Sequence, residues 1–389
     1  MRETDEHGTV VEHNGQEAVA RHLREKWRGV LNMPWNHEAV QEDMEAELQH
    51  VRGDPTCQVP ERLKRTLTRA SLFHVQNIRK AIKRLKRGSS PGIDGLNAEL
   101  VLLLVDDDTF ITAVQELFME WQSKGRMSES ARTALMSTLY KKNDRTDWAN
   151  YRPVSVCTVL YRVYGGCLEQ CLAPLTRYVV GDPQVGYCQK RKIDENINLI
   201  TEIARYLNHD APDEGGLLLM LDNMKAFDRV QWPFMYAALA AFGFTDEFIA
   251  AVKVMYTDIN TIIKTNGVRG KPFQVTSGIR QGCVLSGLLY VIVQEVQLRM
   301  IRRAAVTGVQ IPGPDGDTGP GETVEVKERA LVDDTLVLLK DAKDLPELLN
   351  VIRKFERISN HRMQMGKSVL VLLGKYSGAD HVRAISDRC

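Results

Sequence analysis

The stretch that most constrains this chain is Leu217 to Val230, LLLMLDNMKAFDRV. Apolar residues run without alternation into Asp222, and Lys225, Phe227 and Asp228 follow. A run with no polar alternation predicts a strand buried on both faces. An acid ending such a strand stands at a sheet edge over a cleft, where carboxylates meet metals or substrates. A core strand followed by a solvated loop acid would show the same pattern. The stretch Ala330 to Lys340, ALVDDTLVLLK, breaks the tie. Neighbouring side chains of a regular strand point to opposite faces. Asp333 and Asp334, set inside an apolar run, therefore predict a tight hairpin at the acid pair with both carboxylates at its tip. No His or Cys lies beside either stretch. Oxygen-only donors suit Mg²⁺ or Mn²⁺ rather than zinc. Such ions, paired about 3.5–4 Å apart, support in-line phosphoryl transfer.

With 389 residues, 43% of them hydrophobic, the chain can bury a sizeable core in two or three lobes. Its 51 basic and 50 acidic residues nearly cancel, so overall charge gives no support to a nucleic-acid partner. Local charge differs. Arg79, Lys80, Lys83, Arg84, Lys86 and Arg87 form a basic run at helical spacing; Lys141, Lys142 and Arg145 form another, and Lys190 to Lys192 a third. A solvated helix face accounts for any one such run as well. The seven cysteines include no CxxC pair and are odd in number, which argues against a zinc ribbon or disulfide framework and for a reducing, intracellular compartment. No apolar run approaches the roughly 18 residues of a membrane span, and MRETDEHGTV is too charged for a signal peptide. No membrane association is expected.

Along the chain, Gln16 to Leu31 carries Val19, Leu23, Trp27, Val30 and Leu31 at helical steps, an amphipathic helix in a polar N-terminal extension or linker, 1–64. A basic helix from Val75 to Leu85 leads into RGSSPGIDGLNAEL, a loop rich in Gly and Pro. That loop is a candidate for close approach to a ligand, or a plain helix connection. The segment 136–164 reads as a hairpin with Lys141 and Arg152 on its arms, two cations able to hold a triphosphate. Helices are predicted to about Tyr178, from Glu195 to Leu207, Trp232 to Phe242 and Asp246 to Tyr256, with a hairpin at Asn266-Gly267. SGIRQGCVLSGLLY opens a long helix through Arg303; a glycine-rich helix entry is common at nucleotide sites and as ordinary punctuation. PGPDGDTGPG at 312–321 reads as a flexible hairpin tip. A helix from Leu345 to Ile358 and a strand from Ser368 to Leu373 complete the core.

Taken in order, these stretches resemble the reverse transcriptase domain of non-LTR, LINE-type retrotransposons, from about Val75 to Leu373. SSPGIDGLNAEL and LYKKNDRTDWANYRPVSV resemble its two fingers motifs, and LDNMKAFDRVQW, SGIRQGCVLSGLLY, LVDDTLVLL and HRMQMGKS its A, B, C and D motifs. The resemblance implies an α+β right-hand polymerase fold with fingers and palm, the palm a small antiparallel sheet backed by helices. It places fingers and the first part of the palm at 65–215, and the palm at 216–389 with an insertion at 244–276.

The roles it implies fall on single residues. Asp222, Asp333 and Asp334 match the carboxylates that hold two Mg²⁺ ions, Mn²⁺ being an alternative, with Asp333 the more direct ligand of the adjacent pair. Lys367 matches the lysine that protonates departing pyrophosphate. Lys141 and Arg152 match the cations on the incoming triphosphate, and Gln281 and Gly282 the lining of the nucleotide pocket and template strand. Phe227 stands where the family sets a bulky side chain against the sugar 2′ position. Arg191 matches a template contact or is a solvated arginine, and Lys225 with Asp228 reads as a structural pair. The implied partners are an RNA template, a DNA or RNA primer and dNTPs. The implied activity is primed, two-metal RNA-directed DNA synthesis.

The chain departs from the family pattern at Leu331 and Val332, where an aromatic and a small residue are usual. It departs also at Val284 and Gly287 for prolines, Gln364 for asparagine and Lys190 for glycine. These departures carry an alternative reading, a catalytically weak or inactive RNA-binding relic. An RNA-dependent RNA polymerase is opposed by Phe227. A Mg²⁺ nuclease or phosphatase leaves Lys141, Arg152 and Gln281 without a role. The sequence reads as lacking the family's helical thumb and its endonuclease, which a partner chain or further domains would supply. Target-primed action implies the nucleus; with no import signal beyond the basic run, nucleus and cytoplasm both stay open.

Overall fold

A computed structural model describes residues 1–4, 10–313 and 323–377. The chain is mixed helix and sheet and divides into two compact units. The first takes residues up to Trp35, Val59–Leu175 and Phe227–Leu289; the second takes Asn36–Gln58, Thr176–Ala226 and the chain from Tyr290 onward.

The first unit is built on a five-stranded sheet. Strand Thr133–Tyr140 pairs antiparallel with Tyr151–Val156 and parallel with Asn260–Thr265, which in turn carries Val268–Arg269 and Phe273–Gln274. The predicted hairpin at Asn266-Gly267 forms because both residues take positive φ, 48° and 84°. Helices Val75–Lys83, Asp108–Lys124, Val159–Leu172 and Asp246–Tyr256 pack around an aromatic core. In it Tyr164 lies 4.7 Å from Phe73 and 5.2 Å from Phe118, ring centre to ring centre. Three of these four helix starts share a physical signal: Asp107, Thr158 and Thr245 accept the orphan backbone N–H of the third residue on. The helix Gln16–Leu31 buries Leu23 and Trp27 completely and packs on the Asn260 strand.

The basic run is a mostly solvated face that is paired in part. Arg79, Lys83 and Arg84 form ion pairs with Asp108, Asp106 and Glu169. The Gly/Pro-rich loop after it approaches protein backbone: a Cβ at Gly92 would lie 2.6 Å from the Thr158 Cα.

In the second unit, four strands form an antiparallel sheet in the order Glu328–Leu331, Asp334–Leu339, Gly215–Leu221, Val369–Gly374. Alternation sorts the central strand's side chains between two cores. Leu217, Leu219 and Leu221 pack with Val337 and Leu339 against Ile301, Leu345, Leu348 and Ile352 of helices Ser286–Arg303 and Leu345–Ser359. Leu218 and Leu338 pack with Ile203, Leu207 and Val309. The strand is thus buried on both faces as its apolar run predicts, save Met220, which is 40% exposed. The helix Ile193–Arg205 covers Leu218 on that face and leaves the end nearest the acids open.

Helix His37–Arg52 packs on Leu345–Ser359, with Glu47 paired to Arg303 and Lys354. Most of the 312–321 tip lies outside the described residues. The strands flanking it, Val309–Pro312 and Thr323–Val326, pair antiparallel with each other in a two-stranded sheet of their own. Six cysteines are free, five of them buried; Cys389 lies outside the described residues. No helix among the described residues is long and apolar enough to cross a membrane.

Candidate active site

In the second unit the acid hairpin is tight, but its turn sits one residue earlier than the acid pair suggests. Leu331 pairs with Asp334, so the two turn residues are Val332 and Asp333, and Asp334 opens the next strand. Continuing the register from Thr335 opposite Leu221 puts Asp334 opposite Asp222. Both line a groove of about 500 Å³ on the sheet's open face, together with Lys367 and the apolar side chains of Ile193, Ile197 and Met220. Asp333 occupies the turn beside it. Its backbone carbonyl accepts from Asn223 Nδ2 at 3.1 Å.

Asp222 is held by backbone. Its N–H donates to Ser368 Oγ at 3.2 Å and its carbonyl accepts from Gln364 N–H at 2.7 Å. These contacts draw in the 3₁₀ turn Met365–Lys367, which carries Lys367 to the groove. Beneath the hairpin, Gln294 Nε2 donates to Thr335 Oγ1 at 2.9 Å, and the fully buried Tyr290 contacts Gln294 Oε1 at 3.3 Å. Burial pushes the Tyr290 phenol well above its usual range, and the charges of Asp333 and Asp334 push in the same direction.

The turn is strained. Val332 has φ 59°, a region that β-branched residues almost never occupy and that costs on the order of 1–3 kcal/mol. Two buried groups hold it there. Gln184 Oε1 accepts from Val332 N–H at 2.8 Å, and Gln184 Nε2 donates to the Val332 carbonyl at 3.0 Å. Gly186 packs directly against Val332, where a Cβ would lie 2.5 Å from Cγ2.

Arg191 belongs to this support and not to a solvated surface. Its guanidinium donates to the carbonyls of Val180, Gly181 and Gln184 at 2.6–2.9 Å. Lys190 takes φ 67°, a physical reason for a glycine to be usual at that position.

In the first unit, Arg152 pairs directly with Leu139, and Lys141 follows two residues after Leu139 on the opposite arm. Alternation therefore puts both cations on one face of the hairpin, and both are exposed. Phe227 is half-buried and its carbonyl accepts from Ile279 N–H at 2.8 Å. Gln281 is held by the buried Asp228, whose Oδ1 accepts from Gln281 Nε2 at 3.0 Å. Arg280 is also buried, donating to the carbonyls of Arg132 and Asn260.

Gly282 has φ 111°, and a Cβ there would lie 2.6 Å from the Ser155 carbonyl oxygen. The Gln281 carbonyl meanwhile accepts from Ser155 N–H at 2.7 Å. Gly282→Ala is expected to lower stability by about 1–3 kcal/mol and to displace Gln281. A urea melt showing no change would oppose that.

The structure thus gathers Asp222, Asp334 and Lys367 on one groove with Asp333 in its adjoining turn, and separately places Lys141, Arg152, Phe227, Gln281 and Gly282 in the first unit. The groove's acidic donors are carboxylate oxygens alone, a set that fits a hard divalent cation. As the side chains stand, no group of three or more His, Cys, Asp or Glu among the described residues is gathered closely enough to hold a metal ion. Sequence reading missed Gln184, Asn223 and Gln294. The one available signal was Gln294 within the apolar run of its helix, since a polar residue there must find a buried partner.

The family model for reverse transcriptase (RNA-dependent DNA polymerase) matches residues 140–384, well over half the chain, and the chain belongs to that family. It is similar to a Xenopus laevis protein named "Transposon TX1 uncharacterized 149 kDa protein", 28% identical over 300 residues, covering 77% of this chain and 22% of that protein. It is also similar to the Drosophila melanogaster "Retrovirus-related Pol polyprotein from type-2 retrotransposable element R2DM", 25% identical over 219 residues, covering 56% of this chain and 20% of that one. The resemblance to the non-LTR reverse transcriptase domain is borne out. The chain spans about a fifth of the length of the curated relatives it matches.

Proposed function

We propose that the chain is the catalytic core of an RNA-directed DNA polymerase of retrotransposon type. The observation that carries this reading is the shared groove of Asp222, Asp334 and Lys367, with Asp333 in the turn beside it, in a chain of this family. The second unit's antiparallel sheet is the palm, running from residue 216 onward. The fingers, together with the first part of the palm, are drawn from 65–215, and 244–276 is an insertion within the palm stretch.

The substrates are an RNA template, a primer 3′-hydroxyl and dNTPs. Asp222, Asp333 and Asp334 supply the oxygens that hold Mg²⁺ or Mn²⁺. When bound, these ions acidify the primer hydroxyl and offset the triphosphate charge. The primer 3′-hydroxyl gives up its proton to solvent as its oxygen bonds to the α-phosphorus and the bridging bond to the β-phosphate breaks. Lys367 gives a proton to the departing pyrophosphate. Lys141 and Arg152 bind the triphosphate by charge-assisted hydrogen bonds. Gln281, oriented by Asp228, lines the nucleotide pocket beside Gly282, and Phe227 bars a 2′-hydroxyl. A relic that binds RNA without catalysis is the second reading, favoured by the strain that Val332 places on the turn.

Primer extension on an RNA template with Mg²⁺ tests the proposal. The chain should incorporate dNTPs and discriminate against rNTPs. Phe227→Ala should raise ribonucleotide use about tenfold or more, the scale of removing a steric exclusion. RNA binding without any extension would select the relic. Extension with unchanged sugar discrimination in Phe227→Ala would remove Phe227 from the pocket.

A further inference from the structure

The turn that carries Asp333 does not hold its shape by its own residues. Val332 stands at φ 59° with a β-branched side chain, so an isolated hairpin would relax away from this geometry. The loop 181–191 opposes that relaxation. Gln184 is completely buried, and its single carboxamide satisfies both backbone polar groups of Val332, accepting from the N–H at 2.8 Å and donating to the carbonyl at 3.0 Å. The same oxygen accepts from Gly186 N–H at 2.8 Å, which fixes which end of the amide faces which group.

The loop is anchored to the hairpin's outer strand. Val185 N–H donates to the Ala330 carbonyl at 3.0 Å, Ala330 N–H donates to the Pro183 carbonyl at 2.9 Å, and Asn196 Nδ2 reaches both carbonyls at 3.2 Å. Arg191 ties the start of the loop to its middle through Gly181 and Gln184. Gly186 leaves no room for Val332 to swing toward it.

We propose that Gln184 is the positioning residue of the active site: it clamps Val332 in its left-handed conformation and so sets the direction in which Asp333 is presented. The clamp touches neither substrate nor metal and acts only through the turn. This inference rests on the reading of Asp333 as a metal-holding carboxylate. It explains how a valine is tolerated at a position whose backbone favours glycine.

The test is a double-mutant cycle between Gln184→Met and Val332→Gly. Methionine keeps the side chain's length and removes both hydrogen bonds; glycine accepts φ 59° without strain and needs no clamp. Gln184→Met should lower kcat for primer extension about 10–100-fold, the usual scale for a group supporting a metal ligand, with the dNTP KM nearly unchanged. Mn²⁺ affinity, read by water-proton relaxation, should weaken by a similar factor. Adding Val332→Gly should return most of both losses, and the fall in melting temperature caused by Gln184→Met should be smaller in that background. If Gln184→Met proves insoluble, Gln184→Glu takes its place: it keeps the two N–H contacts but sets a buried carboxylate oxygen against the Val332 carbonyl, so kcat and melting temperature should again fall, and Val332→Gly, which lets that carbonyl turn away, should again return part of the loss.

Losses that simply multiply, with no recovery from Val332→Gly, would make Gln184 an ordinary core residue and overturn the proposal. The melting cycle reads the clamp without reference to activity. An unmodified chain that neither extends a primer nor binds Mn²⁺ would therefore defeat the functional reading, while additive melting shifts would defeat the clamp.

Discussion

Replacing Asp222 by alanine is expected to abolish RNA-templated primer extension, by about a thousandfold or more, while leaving the fold standing. The size follows from the role. A carboxylate that fixes a catalytic divalent ion controls several kcal/mol of transition-state stabilisation, and each 1.36 kcal/mol is about a factor of ten in rate. The fold is spared because the carboxylate is not what holds the strand. The Asp222 backbone is fixed by Ser368 and Gln364, and the apolar residues before it fill two cores. Its side chain is only half-buried, at the rim of the groove it shares with Asp334. Removing one of two neighbouring like charges should leave the melting temperature unchanged or slightly raised, as at other sites where function opposes stability. Extension rates by gel and a thermal melt of the same preparation check both halves. Full activity in Asp222→Ala would remove Asp222 from the metal site. Lost activity together with a collapsed melt would leave a structural explanation in its place.

The sequence made much of this site legible because its key elements obey local rules. The apolar run before Asp222 and the acids inside a second apolar run each demand a buried strand that ends at a cleft, and the sheet places them side by side. Helices such as Asp246–Tyr256 fall where periodicity and a capping threonine put them. What escaped is set by contacts distant in sequence. Met220 is as apolar as its neighbours, and only the position of helix Ile193–Arg205 leaves it open. Arg79 and Arg84 look like free cations until Asp108 and Glu169 fold against them. Period-two logic located the acid hairpin to within a residue. It could not show that the turn falls on Val332, because a turn forced into an unfavourable φ is held by its surroundings and not by its own residue type. Gln184, which supplies that hold, lies well over a hundred residues away and carries no local signal.

Arg302→Met should destabilise the second unit by about 3–5 kcal/mol, the usual cost of removing one partner from a buried charge cluster. Arg302 contacts two acids: Glu295, through Nη1 at 2.7 Å, and Glu328, through Nε. Glu295 is fully buried and Glu328 nearly so. Arg299 makes a second contact to Glu295 at 3.1 Å and also pairs with Asp54, so Glu295 keeps one cation in the variant while Glu328 loses its closest.

The protonation of Glu328 gives the prediction its sign. Burial already pushes its pKa above the ordinary 4.5, opposed chiefly by the charge of Arg302. Burial likewise works against the charge on Arg302, but Glu295 and Glu328 outweigh it and raise the arginine's pKa. Without the arginine the folded-state pKa of Glu328 moves further up. A carboxyl raised in the folded state favours folding below its unfolded pKa, and that contribution disappears as pH rises through the folded value. The deficit of Arg302→Met should therefore be largest at neutral pH and shrink as pH falls toward 5. Urea melts of both proteins across that range decide it: a small, pH-independent deficit would mean that the cluster is hydrated and worth no more than a surface pair.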